Sequence, residues 1–146
     1  IYTLSLHDAL QIFHMYGSTD EGGSFYVKTN TANIDSDSIF HAGDLNWWHW
    51  LGDTPENNAD AKRMAWREFK ELDGLSVDVA MFPVDNRLED AMEWGSIEFL
   101  RRVQVNKAFI PMHLNGPLWT PSVYFKALFG EVPIWEPQKD GDEATF

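Results

Sequence analysis

The sequence predicts an α/β fold, in finer terms α+β, built on a mixed β-sheet with its helices on one face. Three observations lead there. Short apolar runs broken by Gly-, Asn- and Asp-rich turns open the chain, helical and extended apolar periods alternate after them, and two extended runs are apolar almost throughout. Turn-separated short strands pair as an antiparallel meander, helix–strand alternation packs helices onto a sheet with parallel pairing, and near-continuous apolar strands belong to sheets covered on both faces.

Taken in order, Phe13–Tyr16 reads as the end of a strand and "GSTDEGG" (17–23) as the turn after it. Ser24–Thr29, with its β-branched and aromatic residues, is a second strand; "NTANIDSD" (30–37) is a turn cluster and "SIFHAG" (38–43) a third strand. In 55–74, Ala61, Met64, Ala65, Phe69 and Leu72 recur at three- and four-residue steps, the period of a helix, and Gly74 stops it. Val77–Val84 is a buried strand, 88–103 a second helix facing inward through Leu88, Met92, Ile97 and Leu100, and Lys107–His113 another buried strand. Thr120 is placed to cap a short helix with Pro121 at its first position and Gly130 at its end. "VPIWEP" (132–137) reads as an edge strand because it contains proline.

Composition narrows the functional classes. The 146 residues are 44% hydrophobic and include seven Trp and ten Phe, enough for a packed core. A formal net charge of −12 repels phosphate backbones and anionic lipid, so general nucleic-acid binding and membrane surfaces are not expected, and a small-molecule substrate is. With no Cys, any metal must take His and carboxylate ligands. No apolar run approaches the roughly 20 residues of a membrane span, and a cytoplasmic setting is expected.

Ligands in open α/β sheets sit beyond the carboxyl ends of strands. Asp44 follows the strand "SIFHAG" and His113 ends the strand "KAFIPMH", so the sheet can bring both to one edge. Imidazole and carboxylate are suitable ligands for zinc, iron or manganese, and Gly43 permits the sharp turn that aims Asp44 at such a site. The same residue types also serve as a turn cap and a hydrogen-bonded surface histidine. Asp85 and Arg87, in "FPVDNRL", follow another strand and either line this edge or cap the next helix.

"IFHAGDLNWWHW", with "STDEGGSFYVKT" before it and "KAFIPMH" after it, resembles the C-terminal half of a metallo-β-lactamase-fold hydrolase, and "HAGDLNWWHW" is similar to a segment of one bacterial subgroup. The resemblance runs from about Phe13 to the tail. It implies half of an αββα sandwich, one or two divalent metal ions (zinc foremost, manganese or iron otherwise), and water activated on them to attack an ester, amide, thioester or phosphodiester. On the matching positions, Asp44 is the metal-bridging carboxylate and His113 the last histidine ligand. The superfamily's His-x-His-x-Asp-His cluster is absent from this sequence. Most ligands are therefore expected on a missing N-terminal half, and the chain alone is expected to be inactive or to oligomerise through the surface that half would cover. Ser18 stands where many members have a histidine; Ser18 and Thr19 are poor ligands, and Asp20 is a candidate substitute.

The residues around these positions have subsidiary roles. Trp47, Trp48 and Trp50 cannot all face one way: at least one is expected to pack beneath the site and another to wall it. His49 is a candidate substrate contact or support, and His41 a supporting histidine. "IYTLSLHDALQI" is similar to translated sequencing-adapter read-through at the edges of metagenomic genes, so residues 1–12 read as a non-native leader and 13–146 as the domain. The rival functional class is a non-catalytic binding module that grips a ligand with the tryptophan-rich loop.

Overall fold

The computed structural model describes residues 12–28 and 37–146. Its centre is a five-stranded mixed sheet in sequential order: β1 (Ile12–Tyr16), β2 (Ser24–Lys28), β3 (Ser38–His41), β4 (Ser76–Pro83) and β5 (Gln104–Met112). The first three strands pair antiparallel, as the turn-rich sequence between them predicts; β3–β4 and β4–β5 pair parallel. The read leader lies outside the described residues except for Ile12, the first residue of β1, and so does most of the turn before β3.

Each parallel pair needs a crossover. Helix α1 (Pro55–Lys70) joins β3 to β4; a 3-10 helix (Asn86–Ala91) and α2 (Trp94–Leu100) join β4 to β5. Two successive right-handed crossovers moving in one direction across a sheet lie on the same face, which explains the one-sided helical layer. Phe69 of α1 packs on Phe82, Phe99 of α2 on Phe40 and Phe82, and Phe125 of α3 (Val123–Phe129) on Phe109. All six phenylalanines are fully buried, and together they form the core.

Four sequence expectations shift. Ala65, Phe69 and Leu72 are buried as the helical period requires, but Met64 is 41% exposed, because the turn of α1 that holds Ala61 and Met64 lies over a cleft instead of the core. The single helix expected over 88–103 is broken at Glu89, whose backbone takes φ 52° and ψ −122°. Asp85 caps the first piece through Arg87 N, and α2 starts afresh at Trp94. Thr120 and Pro121 do not open α3. The Glu93 carboxylate accepts from Trp119 Nε1, Ser122 N and Ser122 Oγ at 2.6–2.9 Å, which holds that segment extended and leaves Ser122 as the N-cap. The expected edge strand 132–137 reduces to one parallel bridge between Ile134 and Phe109. Pro133 and Pro137 flank it without N–H groups to extend a ladder.

Among the described residues, the sheet's other face carries no helix. Phe13, Val27, Ile39 and Val79 are cross-strand partners there, as are Met15, Phe25, His41 and Met81. Phe13, Met15 and Ile39 are 64%, 65% and 43% exposed.

Candidate functional site

Three adjacent parallel strands deliver three side chains to one edge. Asp44 follows β3, Asp85 follows β4 and His113 follows β5, the carboxyl-end placement at which such sheets bind ligands. His113 Nδ1 lies 2.9 Å from Asp85 Oδ2, and His113 Nε2 lies 3.5 Å from Asp44 Oδ1. The imidazole therefore bridges two carboxylates, one fully buried (Asp85) and one 35% exposed (Asp44).

The buried carboxylate is heavily bonded. Asp85 accepts from Arg87 N at 2.9 Å, from Arg87 Nε and Nη2 at 2.6–3.1 Å, and from Asn115 Nδ2 at 3.1 Å. Burial pushes its pKa up, but the side-chain and backbone bonds from Arg87 and the bond from His113 outweigh burial and hold it below the usual carboxylate value. Asp85 is thus an ionised acceptor at neutral pH, and the hydrogen on His113 Nδ1 is donated to it. In the neutral ring this leaves a lone pair on Nε2 facing Asp44 Oδ1, two acceptors separated by more than the roughly 2.7–3.2 Å of an N–H···O bond. A proton on Nε2, giving an imidazolium–carboxylate ion pair, or a metal cation completes such a pair. Two donors each about 2.0–2.1 Å from a tetrahedral zinc lie about 3.3 Å apart, close to the gap observed.

Backbone geometry fixes this arrangement. Gly43 has φ +56°, and a Cβ there would stand 2.5 Å from the Gly23 carbonyl oxygen, so the turn before Asp44 requires glycine on both counts. His41, exposed on the far face, accepts from Gly43 N at 3.0 Å and shapes that turn from outside the site. His113 itself has φ 61°, and Asn115 φ 47°. Left-handed backbone at two non-glycine residues is costly and held here by Asn86, whose Nδ2 donates to Leu114 O and Pro117 O at 2.5 and 2.9 Å.

Thr19 joins the site as a strut. Its hydroxyl donates to Asn46 O at 2.7 Å and accepts from Asn46 N at 2.9 Å, tying the 17–23 turn to the loop after Asp44. Among the described residues Ser18 makes a local turn contact with Asp20 N, at 3.4 Å. Asp20 lines the same cleft as His113, yet among the described residues no three His, Asp or Glu side chains converge as a metal-binding group. The donor types and spacing of Asp44 and His113 fit a divalent cation; the donor number falls short of the three protein ligands of a catalytic zinc site.

The tryptophan loop divides between two sides. Trp47 turns inward against Trp66 and Trp94 at 4.8 and 5.0 Å, and His49 follows it to Trp94 at 4.7 Å. Trp48 and Trp50 stay on the site's side, rings 11° from parallel and 6.3 Å apart. Trp48 donates from Nε1 to Asp44 O at 2.9 Å and meets His113 edge-on at 5.4 Å. Trp50 is clamped to α1 by Asn58, which accepts from Trp50 N and donates to Trp50 O. Together they wall a cleft of about 470 Å³ that also includes Thr19, Asp20, Arg87 and His113.

Sequence reasoning missed Asn115 and Asn58. Asn115 was signalled only by the Asn-Gly turn that follows His113; Asn58, half-buried near the start of α1, had no signal.

Fold and site together define a class: an α+β chain with a carboxylate–imidazole–carboxylate line at the carboxyl ends of its parallel strands. No protein-family model, curated protein or solved structure matches the chain. Among the described residues no helix is long and apolar enough to cross a membrane.

Proposed function

We propose that the chain carries one corner of a metal-dependent hydrolase site of the metallo-β-lactamase type, with Asp44 and His113 as ligands. The observation that supports this most directly is the Asp85–His113–Asp44 line. A buried carboxylate that holds the Nδ1 hydrogen is the arrangement that orients a metal-ligating imidazole and raises its basicity. A divalent ion bound there would supply Lewis acidity and lower the pKa of a water. The chain's own residues hold and orient: Asp85 sets the His113 tautomer, Gly43 aims Asp44, Thr19 fixes the loop, and Trp48 and Trp50 keep one side of the cleft apolar. The substrate class in this reading is a small ester, amide, thioester or phosphodiester.

The remaining ligands, in this proposal, come from a companion half-domain. One feature supports it: among the described residues one face of the sheet carries no helix and exposes Phe13, Met15 and Ile39. Parallel strands are normally covered on both faces. Titration calorimetry with zinc and with manganese tests the reading. Weak single-site binding that disappears in Asp44→Asn is expected; tight two-site binding with turnover of generic ester or phosphodiester substrates would refute the companion half.

The parallel Trp48–Trp50 rings favour a second reading, a non-catalytic binding module. It predicts ligand binding without metal and unchanged in Asp44→Asn.

A further inference from the structure

The cleft beside the Asp44–His113 pair contains a cation that metal ligation does not use. Arg87 is the one lysine or arginine among the residues that line it. Its Nε and Nη2 edge is committed to Asp85, and its guanidinium lies 5.5 Å from the centre of the Trp50 ring. A fork on one edge and an aromatic ring on one face fix the plane of the group before any ligand arrives. Nη1 makes no hydrogen bond among the described residues, and 51% of the side chain is exposed. The counter-charge on Asp85 is fully buried behind it. Arg87 therefore lines the cleft with a pre-oriented guanidinium whose Nη1 is uncommitted, beside the parallel Trp48 and Trp50 rings.

The other wall limits the ligand's charge. Asp20, Asp53 and Asp60 line it. Asp53 is occupied by Thr54 N and Asn57 Nδ2, and Asp60 by Arg63, but their charges remain. A second negative charge on the ligand would meet like charge across the cleft. The volume of about 470 Å³ falls in the range of small-molecule sites.

We propose that Arg87, with the Trp48–Trp50 wall, forms a recognition subsite for a small organic monoanion bearing an apolar or aromatic group. Calling that monoanion the substrate rests on the hydrolase reading; its binding does not. The acid group sits on the Nη1 edge of Arg87, the apolar part lies against the indole rings, and the adjoining bond is directed toward Asp44 and His113.

The test is an NMR titration of the ¹⁵N-labelled full chain, following the Trp48 and Trp50 indole N–H and the Arg87 Nε–H signals. Phenylacetate is expected to shift them saturably. The neutral isostere phenylacetamide is expected to bind about tenfold more weakly, as is phenylacetate to Arg87→Met, since each lacks one partner of a charge-assisted bond. Phenyl phosphate, a dianion at pH 8, is expected to bind more weakly than phenylacetate. Trp50→Leu leaves the Asp85–Arg87 pair in place and is expected to weaken phenylacetate and phenylacetamide alike.

Equal affinity for the acid and the amide overturns the subsite, as does unchanged phenylacetate affinity in Arg87→Met or no saturable shift in the parent chain. If Arg87→Met does not fold, the acid-to-amide ratio and Trp50→Leu decide. A zinc titration of the same sample separates the two claims. Arg87-dependent phenylacetate binding without zinc binding removes the hydrolase reading and keeps the subsite; zinc binding lost in Asp44→Asn, with no Arg87 dependence, removes the subsite alone.

Discussion

At the residue scale, Asp85 holds the site's polar side chains in place. Its pKa is lowered on folding, so its contribution to stability is complete above the ordinary value of 3.8 and is lost as pH falls through the depressed folded value. Asp85→Asn puts an amide nitrogen among the donors from Arg87, His113 and Asn115. It is expected to cost about 2 kcal/mol or more at pH 7. Urea denaturation at pH 7 and at pH 3 checks the sign, because the difference between parent and variant should shrink at the lower pH. On the hydrolase reading the same variant frees the His113 tautomer and lowers zinc affinity by about ten- to a hundredfold. Asp78 shifts the same way: burial raises its pKa, the Ser38 backbone and hydroxyl bonds and then Lys107 lower it, and the net result is down. Removing Asp85 therefore leaves part of the acid sensitivity in place.

At the scale of elements, α1 and α2 hold the tryptophan loop from two sides. Gly95, in the first turn of α2, lies against Asn46: a Cβ there would fall 1.8 Å from Asn46 Oδ1 and 2.9 Å from Trp47 N. Asn46 is fully buried, its backbone is tied to Thr19 and its Oδ1 accepts from Trp47 N at 2.9 Å, so moving the amide breaks a buried bond. Gly95→Ala is expected to destabilise the chain by about 2–3 kcal/mol and to displace the Asp44 loop, read by denaturation and by Trp48 indole shifts. Thr54 caps α1 by accepting from Asn57 N at 3.1 Å, with Pro55 at the first helical position. Thr54→Ala is expected to cost about 1 kcal/mol without moving the Trp48 indole shift, since the cap is exposed and the Trp48 indole is held by Asp44 O and not by α1.

At the scale of the whole molecule, the described residues form a sheet with one face covered by helices and the other left open by them. Exposed Phe13, Met15 and Ile39 lie on the uncovered face with half-buried Val27, Phe25, Val79 and Met81. A contiguous apolar surface of this kind drives association. Multi-angle light scattering is expected to show a mass above the monomer that rises with concentration, and the double variant Phe13→Lys, Ile39→Lys is expected to return it to the monomer. A concentration-independent monomer in the parent chain would contradict this reading of the open face. The formal charge of −12 opposes association at low ionic strength, so added salt should strengthen it.

The sequence determined what depends on local chemistry. Turn residues set the antiparallel opening, apolar runs set α1 and the strands β4 and β5, and Gly43 before Asp44 set the turn at the end of β3. The sequence also put Asp44, Asp85 and His113 at strand ends, where the parallel sheet carries them to one edge. Only the tertiary structure decided how they meet. Nothing in the residues from Asp44 to His113 states that Asp85 binds the near side of the imidazole while Asp44 faces the far side, because that depends on the register of β3, β4 and β5 and on the left-handed backbone at His113. The late start of α3 at Ser122 and the division of the tryptophans between core and cleft were likewise set by contacts distant in sequence: Glu93 for the one, and Trp66 and Trp94 against Trp47 for the other. Local periods are written in neighbouring residues, whereas a site at a sheet edge is written in register, and register exists only once the strands have paired.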